Sequence, residues 1–132
     1  MIQRHESRRP HDDFRLEVGG VFRSWTLPKM FPGAPGERRL AVQTEDHSLD
    51  FGDFEGKIPE GHLGAGEIRK FDEGYYWPCG DQSMEAQLAA GEAAFRLRGE
   101  RVEGEFQLAV LRRGRWRRGT KRPEWLLVKA RS

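Results

Sequence analysis

Residues able to bind a metal ion or a phosphate group alternate with apolar residues near the start of the chain. In the stretch HDDFRLEV, His11, Asp13 and Arg15 occupy every second position, and Phe14 and Leu16 lie between or beside them. Alternate side chains of a β-strand point to opposite faces. The pattern therefore predicts a strand whose apolar face lies in the core and whose polar face displays an imidazole, a carboxylate and a guanidinium. Imidazole and carboxylate bind ions such as Mn, Fe or Zn, and a guanidinium binds phosphate or carboxylate.

Further histidines can join this polar face. His5 lies just upstream, and His47 lies in the strand-like stretch AVQTEDHSLDF, where Glu45, His47 and Leu49 share one face. If that strand lies beside the first, His47 can meet Asp13. Histidines with a carboxylate and arginines are typical of phosphoryl transfer, because the set combines a metal, a general acid or base and a positively charged clamp. The alternative interpretation is an exposed polar face that makes ordinary ion pairs.

Length and composition restrict the class of protein. The chain has 132 residues and a net charge of +2, which predicts one domain spanning 1–132 and gives no global reason to expect a nucleic-acid partner. Its single cysteine, Cys79, excludes an internal disulfide framework and a CxxC metal motif. No stretch approaches the about 18 apolar residues of a membrane helix, and no signal peptide is recognisable. These features predict a cytoplasmic monomer with no membrane contact.

The pattern of apolar residues and turns predicts a mainly β fold. Short alternating runs are separated by turn residues, with one hairpin expected at Gly19–Gly20 and a second around Asp72–Gly74. One helix is expected where Ser83 can cap the first turn and Met84 and Leu88 share a face. Strands at short spacing with one small helix predict a compact antiparallel β-barrel, with a sandwich as the alternative.

A basic segment, RRGRWRRGTKR, lies between the last two predicted strands. Four neighbouring residues in it are candidates for nucleic-acid binding: Arg115, Trp116, Arg117 and Arg118. Arginines there can contact phosphates while the indole stacks on a base. The alternative interpretation is a solvated loop that keeps the protein soluble.

Several separated motifs, in the same order, resemble one family. They are HDDFRLEVGGVFRSWTLPK, RLAVQTEDHSLDF, FEGKIPEG, GAGEI and the terminal WLLVKAR. Together they resemble the 3′-phosphoesterase domain found at the N-terminus of bacterial DNA ligase D and as stand-alone proteins in bacteria and archaea. The resemblance runs from about Ile2 to the C-terminus, and ordered motifs are more specific than one short match.

The resemblance implies an activity, a cofactor and partners. The family consists of Mn²⁺-dependent phosphodiesterases and phosphomonoesterases, with Co²⁺ or Zn²⁺ as other candidate ions. Its members remove a terminal 3′-ribonucleoside and then the 3′-phosphate, which leaves a 3′-hydroxyl for ligation. The implied partners are nucleic-acid 3′ ends and a DNA ligase or polymerase of the same repair pathway. The family fold is a β-barrel with little helix, in agreement with the strand pattern.

The resemblance also implies roles for individual positions. The positions that match the metal ligands are His5, Asp13 and His47. The positions that match residues engaging the scissile phosphate are His11 and Arg15. Accessory polar residues, expected to bind substrate, match Gln3, Lys29, Arg39 and Glu45.

The chain departs from the family pattern at three positions. Asp12 stands where a tyrosine is usual, and the strand pattern turns its side chain away from the site. Phe51 stands where the family commonly has a functionally important tyrosine, at a substrate-binding position. A lost hydrogen bond to a charged group is worth roughly 1.5–3 kcal/mol, so we expect a slower enzyme rather than an inactive one. The extra imidazole of His62, in PEGHLG, is interpreted as a surface-loop residue.

Two other functional classes remain open from the residues alone. His11, Asp13 and His47 also match the two-histidine, one-carboxylate ligand set of iron oxygenases. A cosubstrate-binding arginine after the distal histidine, which that class requires, is not recognisable. A non-catalytic nucleic-acid-binding barrel would explain the basic segment, but it would leave the histidines and Asp13 without a role.

Overall fold

The computed structural model describes residues 1–50, 56–58, 66–111 and 122–131. These residues form one helix and ten strands. The elements in chain order are β1 (Ile2–Glu6), β2 (His11–Val18), β3 (Val21–Leu27), β4 (Arg38–His47), β5 (Gly56–Ile58), β6 (Gly66–Asp72), β7 (Gly74–Pro78), α1 (Met84–Ala89), β8 (Glu92–Gly99), β9 (Glu103–Val110) and β10 (Glu124–Lys129).

The ten strands form one antiparallel sheet in the order β5-β6-β1-β2-β3-β4-β10-β9-β8-β7. The sheet curls on itself, so that strands far apart in this order meet: Phe14 on β2 stacks on Phe95 on β8, with ring centroids 6.0 Å apart. At the same end, the Tyr76 hydroxyl of β7 donates a hydrogen bond to the Glu17 carbonyl of β2. The mainly β prediction with one short helix is confirmed. Within the described residues β5 and β7 are sheet edges, so the word barrel applies only loosely.

The β2–β3 hairpin follows from two glycines. Gly19 and Gly20 have φ angles of 62° and 84°, and a two-residue turn with both residues in the left-handed region matches the twist of the flanking strands. Val18 pairs with Val21 directly across the turn. This predicted hairpin is confirmed. It fixes the register of β2, and therefore which of its side chains face outward.

The second predicted hairpin, around Asp72–Gly74, is wrong. β6 pairs with β1 and β5, whereas β7 pairs with β8 at the opposite edge of the sheet. The chain at Asp72–Gly74 therefore crosses between two parts of the curled sheet. Local turn chemistry resembles that of a hairpin, but it does not determine which strands pair.

The single helix of the described residues forms as its caps predict. The Ser83 hydroxyl accepts a hydrogen bond from the Ala86 N–H at 3.1 Å, which satisfies a donor that the first turn leaves unpaired. Met84 and Leu88 are buried, and α1 packs against β8. Within the described residues, no helix has the length and hydropathy needed to span a membrane.

Aromatic residues fill the inner face of the curled sheet. Phe14, Trp25, Phe95 and Phe106 are almost wholly buried there. Trp25 also meets Trp125 edge to face, with ring centroids 5.9 Å apart, and such pairs add stability beyond the area that they bury. Because the inner face contains the apolar surface, the outer face of β1–β4 can display polar groups.

One carboxylate fastens β1 and β2 on the inner face. The Asp12 side chain is fully buried and accepts hydrogen bonds from Arg4 Nε and Nη2 at 2.9 and 3.1 Å. It also accepts the Phe31 backbone N–H at 2.8 Å. Asp12 thus faces away from the polar outer side, as the strand pattern predicts. The buried carboxylate is thus paired with a half-buried guanidinium and a loop N–H, and it would be costly to leave it unpaired.

A second carboxylate holds the crossing between the two parts of the sheet. Asp72 Oδ1 accepts the N–H groups of Glu73 and Glu100, and Oδ2 accepts those of Arg101 and Val102, all at 2.7–2.9 Å. Burial raises the pKa of the Asp72 carboxyl, but the four N–H donors outweigh burial and the net pKa lies below its ordinary value. The ionised carboxylate therefore stabilises the fold.

The Asp72→Asn variant should be less stable by roughly 1–3 kcal/mol near neutral pH, because the amide turns an N–H₂ group toward backbone donors. Ionised Asp72 stabilises the fold above its unfolded pKa of about 3.9, and this contribution is lost as the pH falls through the lower folded pKa. The stability difference between wild type and variant, measured by urea unfolding, should therefore shrink in acid. Asp81→Asn, an exposed carboxylate in a bend, is the control. Equal stability of Asp72→Asn and Asp81→Asn would contradict this role.

Candidate active site

The first two strands bring three potential metal ligands together on the outer face of the sheet. His5 pairs with His11 across the β1–β2 ladder, and Asp13 lies two residues further along β2. The two imidazole rings are tilted, with centroids 4.7 Å apart. One ligand atom from each of the three residues lies within 4.8 Å of the others. A divalent ion of the Mn, Fe or Zn kind favours such a set of two imidazoles and one carboxylate.

Neighbouring groups orient these ligands. Thr26 on β3 donates its hydroxyl to Asp13 Oδ1 at 2.8 Å. His11 Nδ1 lies 3.2 Å from the Arg9 carbonyl oxygen, which can only accept, so Nδ1 carries a proton and Nε2 faces Asp13 Oδ2 at 3.6 Å. A hydrogen bond to the second ring nitrogen is the usual way to fix a ligating histidine. The three residues therefore fit a transition-metal ion, since their ligand atoms lie close together and neighbouring groups orient two of them.

The electrostatics of this trio favour charge separation. Contact with Asp13 raises the pKa of His11, with burial opposing it. Burial raises the pKa of Asp13. The hydrogen bonds from His11 and Thr26 lower it, and together with the nearby charges of His11 and Arg15 they outweigh burial, so the net pKa lies below its ordinary value. Both shifts favour the charged form of their group. A metal ion would take the place of the imidazolium proton, since ligands bind metal in their deprotonated form.

Arg15 lies beside the trio and is 4% exposed. Its Nε donates to Gln3 Oε1 at 2.8 Å, and its Nη1 donates to Ser24 Oγ at 2.7 Å. Nη1 also lies 3.0 Å from His47 Nδ1, and Nη2 lies 3.9 Å from Asp13 Oδ2. The guanidinium is therefore held rigidly by groups from three other strands. A charge fixed in this way needs no reorganisation when a phosphate binds.

His47 reaches Arg15 because β4 contains a bulge. Ser24 pairs with Thr44 and Phe22 pairs with His47, so β4 has one more residue than β3 between these pairs. In a regular strand Asp46 would lie opposite Phe22, and His47 would point to the other face. β3 lies between β2 and β4, so the condition that the His47 strand lies directly beside β2 is not met. The bulge gives His47 its place on the outer face.

The ring of His47 is neutral at ordinary pH. Burial lowers its pKa, and the Arg15 charge lowers it further. Its Nδ1 accepts from Arg15 and lies 3.3 Å from Ser24 Oγ. In a neutral ring with Nδ1 as acceptor, Nε2 carries the proton and acts as a donor. His47 therefore provides a hydrogen-bond donor held in place by a cation.

These residues line one cleft of about 330 Å³ on the outer face. Its described lining residues are His5, His11, Asp13, Arg15, Thr26, Thr44, Glu45, His47 and Arg122. The metal-ligand trio and the Arg15–His47 pair therefore face the same space. A phosphate in this cleft would meet a metal site, a guanidinium and an imidazole N–H together.

The metal ligands predicted from the sequence differ in one residue from the metal-ligand trio of the structure. Sequence comparison with the family placed the metal on His5, Asp13 and His47, whereas the structure groups His11 with His5 and Asp13 and places His47 beside Arg15.

The predicted accessory residues have different surroundings. Gln3 is fully buried and accepts from Arg15, and Glu45 lines the cleft. Lys29 is exposed, and its backbone carbonyl accepts a hydrogen bond from Arg39 Nε at 3.2 Å. Arg39 Nη2 pairs with Glu37 at 2.6 Å. Neither Lys29 nor Arg39 is among the described residues of the cleft. The remaining candidates lie outside the described residues: Phe51, Arg115, Trp116, Arg117 and Arg118.

Sequence analysis missed four residues of the site. Ser24 and Thr26 flank the buried Trp25 on β3. This alternation in the sequence already indicates that both side chains belong to one polar face of the strand. Thr44 and Arg122 join the cleft only through the pairing of β3, β4 and β10, and no local pattern identifies them.

Comparison with known proteins supports one family. Residues 3–110 match the family described as the DNA ligase D 3′-phosphoesterase domain. A multifunctional non-homologous end joining protein LigD from Pseudomonas aeruginosa is 43% identical over 129 residues, which is 98% of this chain and 14% of that protein. The multifunctional non-homologous end joining DNA repair protein LigD of Mycobacterium tuberculosis is 40% identical over 116 residues, or 88% of this chain and 15% of that protein.

A third relative, the multifunctional non-homologous end joining protein LigD of Mycolicibacterium smegmatis, is 38% identical over 120 residues, or 88% of this chain and 16% of that protein. The chain thus spans about one-seventh of the length of these curated relatives. The family match covers all of the metal-ligand trio, Arg15 and His47. The chain belongs to the DNA ligase D 3′-phosphoesterase domain family.

Proposed function

We propose that this protein is a Mn²⁺-dependent phosphoesterase that processes nucleic-acid 3′ ends for end joining. In the first reaction, water breaks the bond between phosphorus and the 5′ oxygen of the terminal nucleoside, which leaves a 3′-phosphate. In the second, water removes that phosphate and leaves a 3′-hydroxyl for a ligase. The observation that carries the proposal is the shared cleft of the His5–His11–Asp13 trio and the Arg15–His47 pair.

The metal in this proposal binds to His5, His11 and Asp13. A bound divalent ion would act as a Lewis acid on a phosphate oxygen. His5 and His11 offer imidazole nitrogens, and Asp13 offers a carboxylate that Thr26 holds by its other oxygen. Co²⁺ and Zn²⁺ suit the same donors, so Mn²⁺ is the family expectation and the donor set alone does not select it.

Arg15 and His47 bind the phosphate in this proposal. The guanidinium neutralises charge on the transferred group, and its bonds to Gln3 and Ser24 keep it directed into the cleft. His47 Nε2 donates to a phosphate or leaving-group oxygen, because its Nδ1 is already engaged by Arg15. Catalysis then depends mainly on fixed positive charge and fixed donors, which phosphoryl transfer requires more than covalent participation.

The partners follow from the product. A trimmed 3′-hydroxyl is a substrate for a DNA ligase or polymerase, and relatives of this chain are named as multifunctional end joining proteins. This chain matches about one-seventh of their length, so sealing and extension belong to segments or proteins beyond the matched region.

A trimming assay tests the proposal. We expect the protein with Mn²⁺ to shorten a primer–template that ends in a single 3′-ribonucleotide, and to remove a terminal 3′-phosphate. Chelator should stop both reactions, because the ligand trio would lose its ion. Gel separation of the labelled primers is the measurement. Binding without trimming would select the nucleic-acid-binding class instead, and iron-dependent oxygen uptake without trimming would select the oxygenase class.

Two histidine variants distinguish the possible metal sites. We expect His11→Ala to weaken Mn²⁺ binding by more than the about 10- to 100-fold that loss of an outer-shell partner causes. His47→Ala should keep Mn²⁺ binding within that range and lose activity, since His47 contacts Arg15 rather than the trio. Calorimetric titration of metal-free protein is the measurement. The reverse result would assign the metal to His5, Asp13 and His47.

The Arg15→Lys variant should reduce kcat by about 10²- to 10³-fold, as the loss of a fixed charge-stabilising donor does. Lysine keeps one positive charge, but it cannot bond Gln3, Ser24 and His47 at once as the planar guanidinium does. Single-turnover removal of a 3′-phosphate is the measurement. Arg96→Lys, on β8 and 45% exposed in its side chain, is the matched control. Equal rates for the two variants would remove Arg15 from phosphate binding.

A further inference from the structure

A second cavity adjoins the cleft on the outer face of the sheet. It measures about 380 Å³, and its described lining residues are Met1, Arg15, Glu17, Phe22, Leu49, Glu73, Gly74, Tyr75 and Tyr76. Arg15 lines both spaces. A phosphate held by Arg15 in the cleft would therefore lie next to this cavity.

The register of β2 sets the distance between the two spaces. Asp13, Arg15 and Glu17 occupy alternate positions of β2 and face the same side. Each step of two residues spans about 6.8 Å in an antiparallel strand. The cavity thus extends from Arg15 to Glu17, one such step further along β2 on the side away from Asp13.

The side of the cavity formed by β7 presents an unusually exposed aromatic ring. Tyr75 is 80% exposed, and its neighbour Tyr76 packs against the core and donates its hydroxyl to the Glu17 carbonyl. The backbone that carries Tyr75 is therefore anchored to β2. An exposed ring on an anchored strand is a platform on which a nucleobase can stack.

The remaining lining groups fit a neutral ligand of nucleoside size. Phe22 and Leu49 add apolar surface, and the volume lies within the about 300–1,000 Å³ of small-molecule sites. Glu17 places a carboxylate at the cavity, and a second comes from Glu73, which Lys70 pairs at 3.3 Å. Met1 also lines the cavity; its N-terminal amine donates to the Arg15 carbonyl at 2.7 Å, and burial lowers the pKa of this amine to about 6, which favours its uncharged form near neutral pH. Carboxylates accept sugar hydroxyls and base amino groups, but they repel the further phosphates of a strand.

We propose that this cavity binds the terminal nucleoside that the diesterase reaction releases. The inference rests on the proposed function, since it takes the cleft to hold the scissile phosphate. The terminal nucleoside has no phosphate beyond the scissile one, so Glu17 and Glu73 do not oppose it. The retained strand, which has a phosphate at every step, leaves the cleft on another side. Tyr75 is then a substrate-binding residue for the diester and has no contact with a 3′-phosphate end.

The test compares two substrates and three variants. One primer ends in a 3′-ribonucleoside, and the same primer one residue shorter ends in a 3′-phosphate. Tyr75→Ala should raise the KM for the diester by about 5- to 150-fold, the effect of removing a base-stacking ring, and leave the 3′-phosphate reaction unchanged. Tyr75→Phe keeps the ring and should resemble wild type. Trp77→Ala removes the other large exposed ring of β7, which is 44% exposed and does not line the cavity, and should change neither reaction.

Two outcomes would overturn the inference. If Tyr75→Ala impaired both substrates equally, the cavity would hold the retained strand. If Tyr75→Ala behaved as Trp77→Ala does, the ring would bind nothing.

Failure of the proposed function gives a different result: the wild-type protein then processes neither substrate with Mn²⁺. The inference is then decided by equilibrium binding of a nucleoside 5′-monophosphate to wild type and Tyr75→Ala. Weaker binding by the variant supports the cavity as a nucleoside site, and equal binding refutes it.

Discussion

The bonds of the buried Arg15 guanidinium determine the arrangement of the whole outer face. This one side chain, on β2, bonds Gln3 of β1, Ser24 of β3 and His47 of β4. Burial opposes its charge and lowers its pKa, with Asp13 acting in the other direction. A buried cation is tolerated only when acceptors surround it. The four strands must therefore keep their register for Arg15 to be satisfied, and the same register positions the neighbouring ligand trio.

The fold separates structural and chemical roles between the two faces of one sheet. The inner face contains the aromatic core and the buried Asp12 carboxylate paired with Arg4, while the outer face of β1–β4 contains the groups that fit metal and phosphate. Curling of the sheet brings β7 against β2, where Tyr76 reaches the Glu17 carbonyl. A flat sheet of the same strands would keep these two strands apart, because five strands separate them in the sheet order. The curl therefore places an exposed tyrosine of an edge strand, Tyr75, in the same cavity as Arg15.

Adjacent functions are arranged along β2 by the two-residue period of the strand. Asp13 belongs to the metal-ligand trio, Arg15 lines both the cleft and the second cavity, and Glu17 lines the second cavity but not the cleft. A substrate with a metal-bound phosphate and one nucleoside beyond it would follow the same direction. Neutral His47, which Arg15 holds by its Nδ1, adds a donor from the side.

The sequence by itself determined the mainly β class, the β2–β3 hairpin, the helix caps and the outward face of β2. Each of these depends on local chemistry: the period of two, two glycines with positive φ, and a serine at the N-cap. Only the tertiary structure decided which histidine joins which group. His5 and His11 meet because β1 and β2 pair in one particular register. His47 faces outward because a bulge in β4 moves its side chain to the opposite face of the sheet. Strand register and bulges arise from contacts between distant segments, so the spacing of residues within one segment does not specify them.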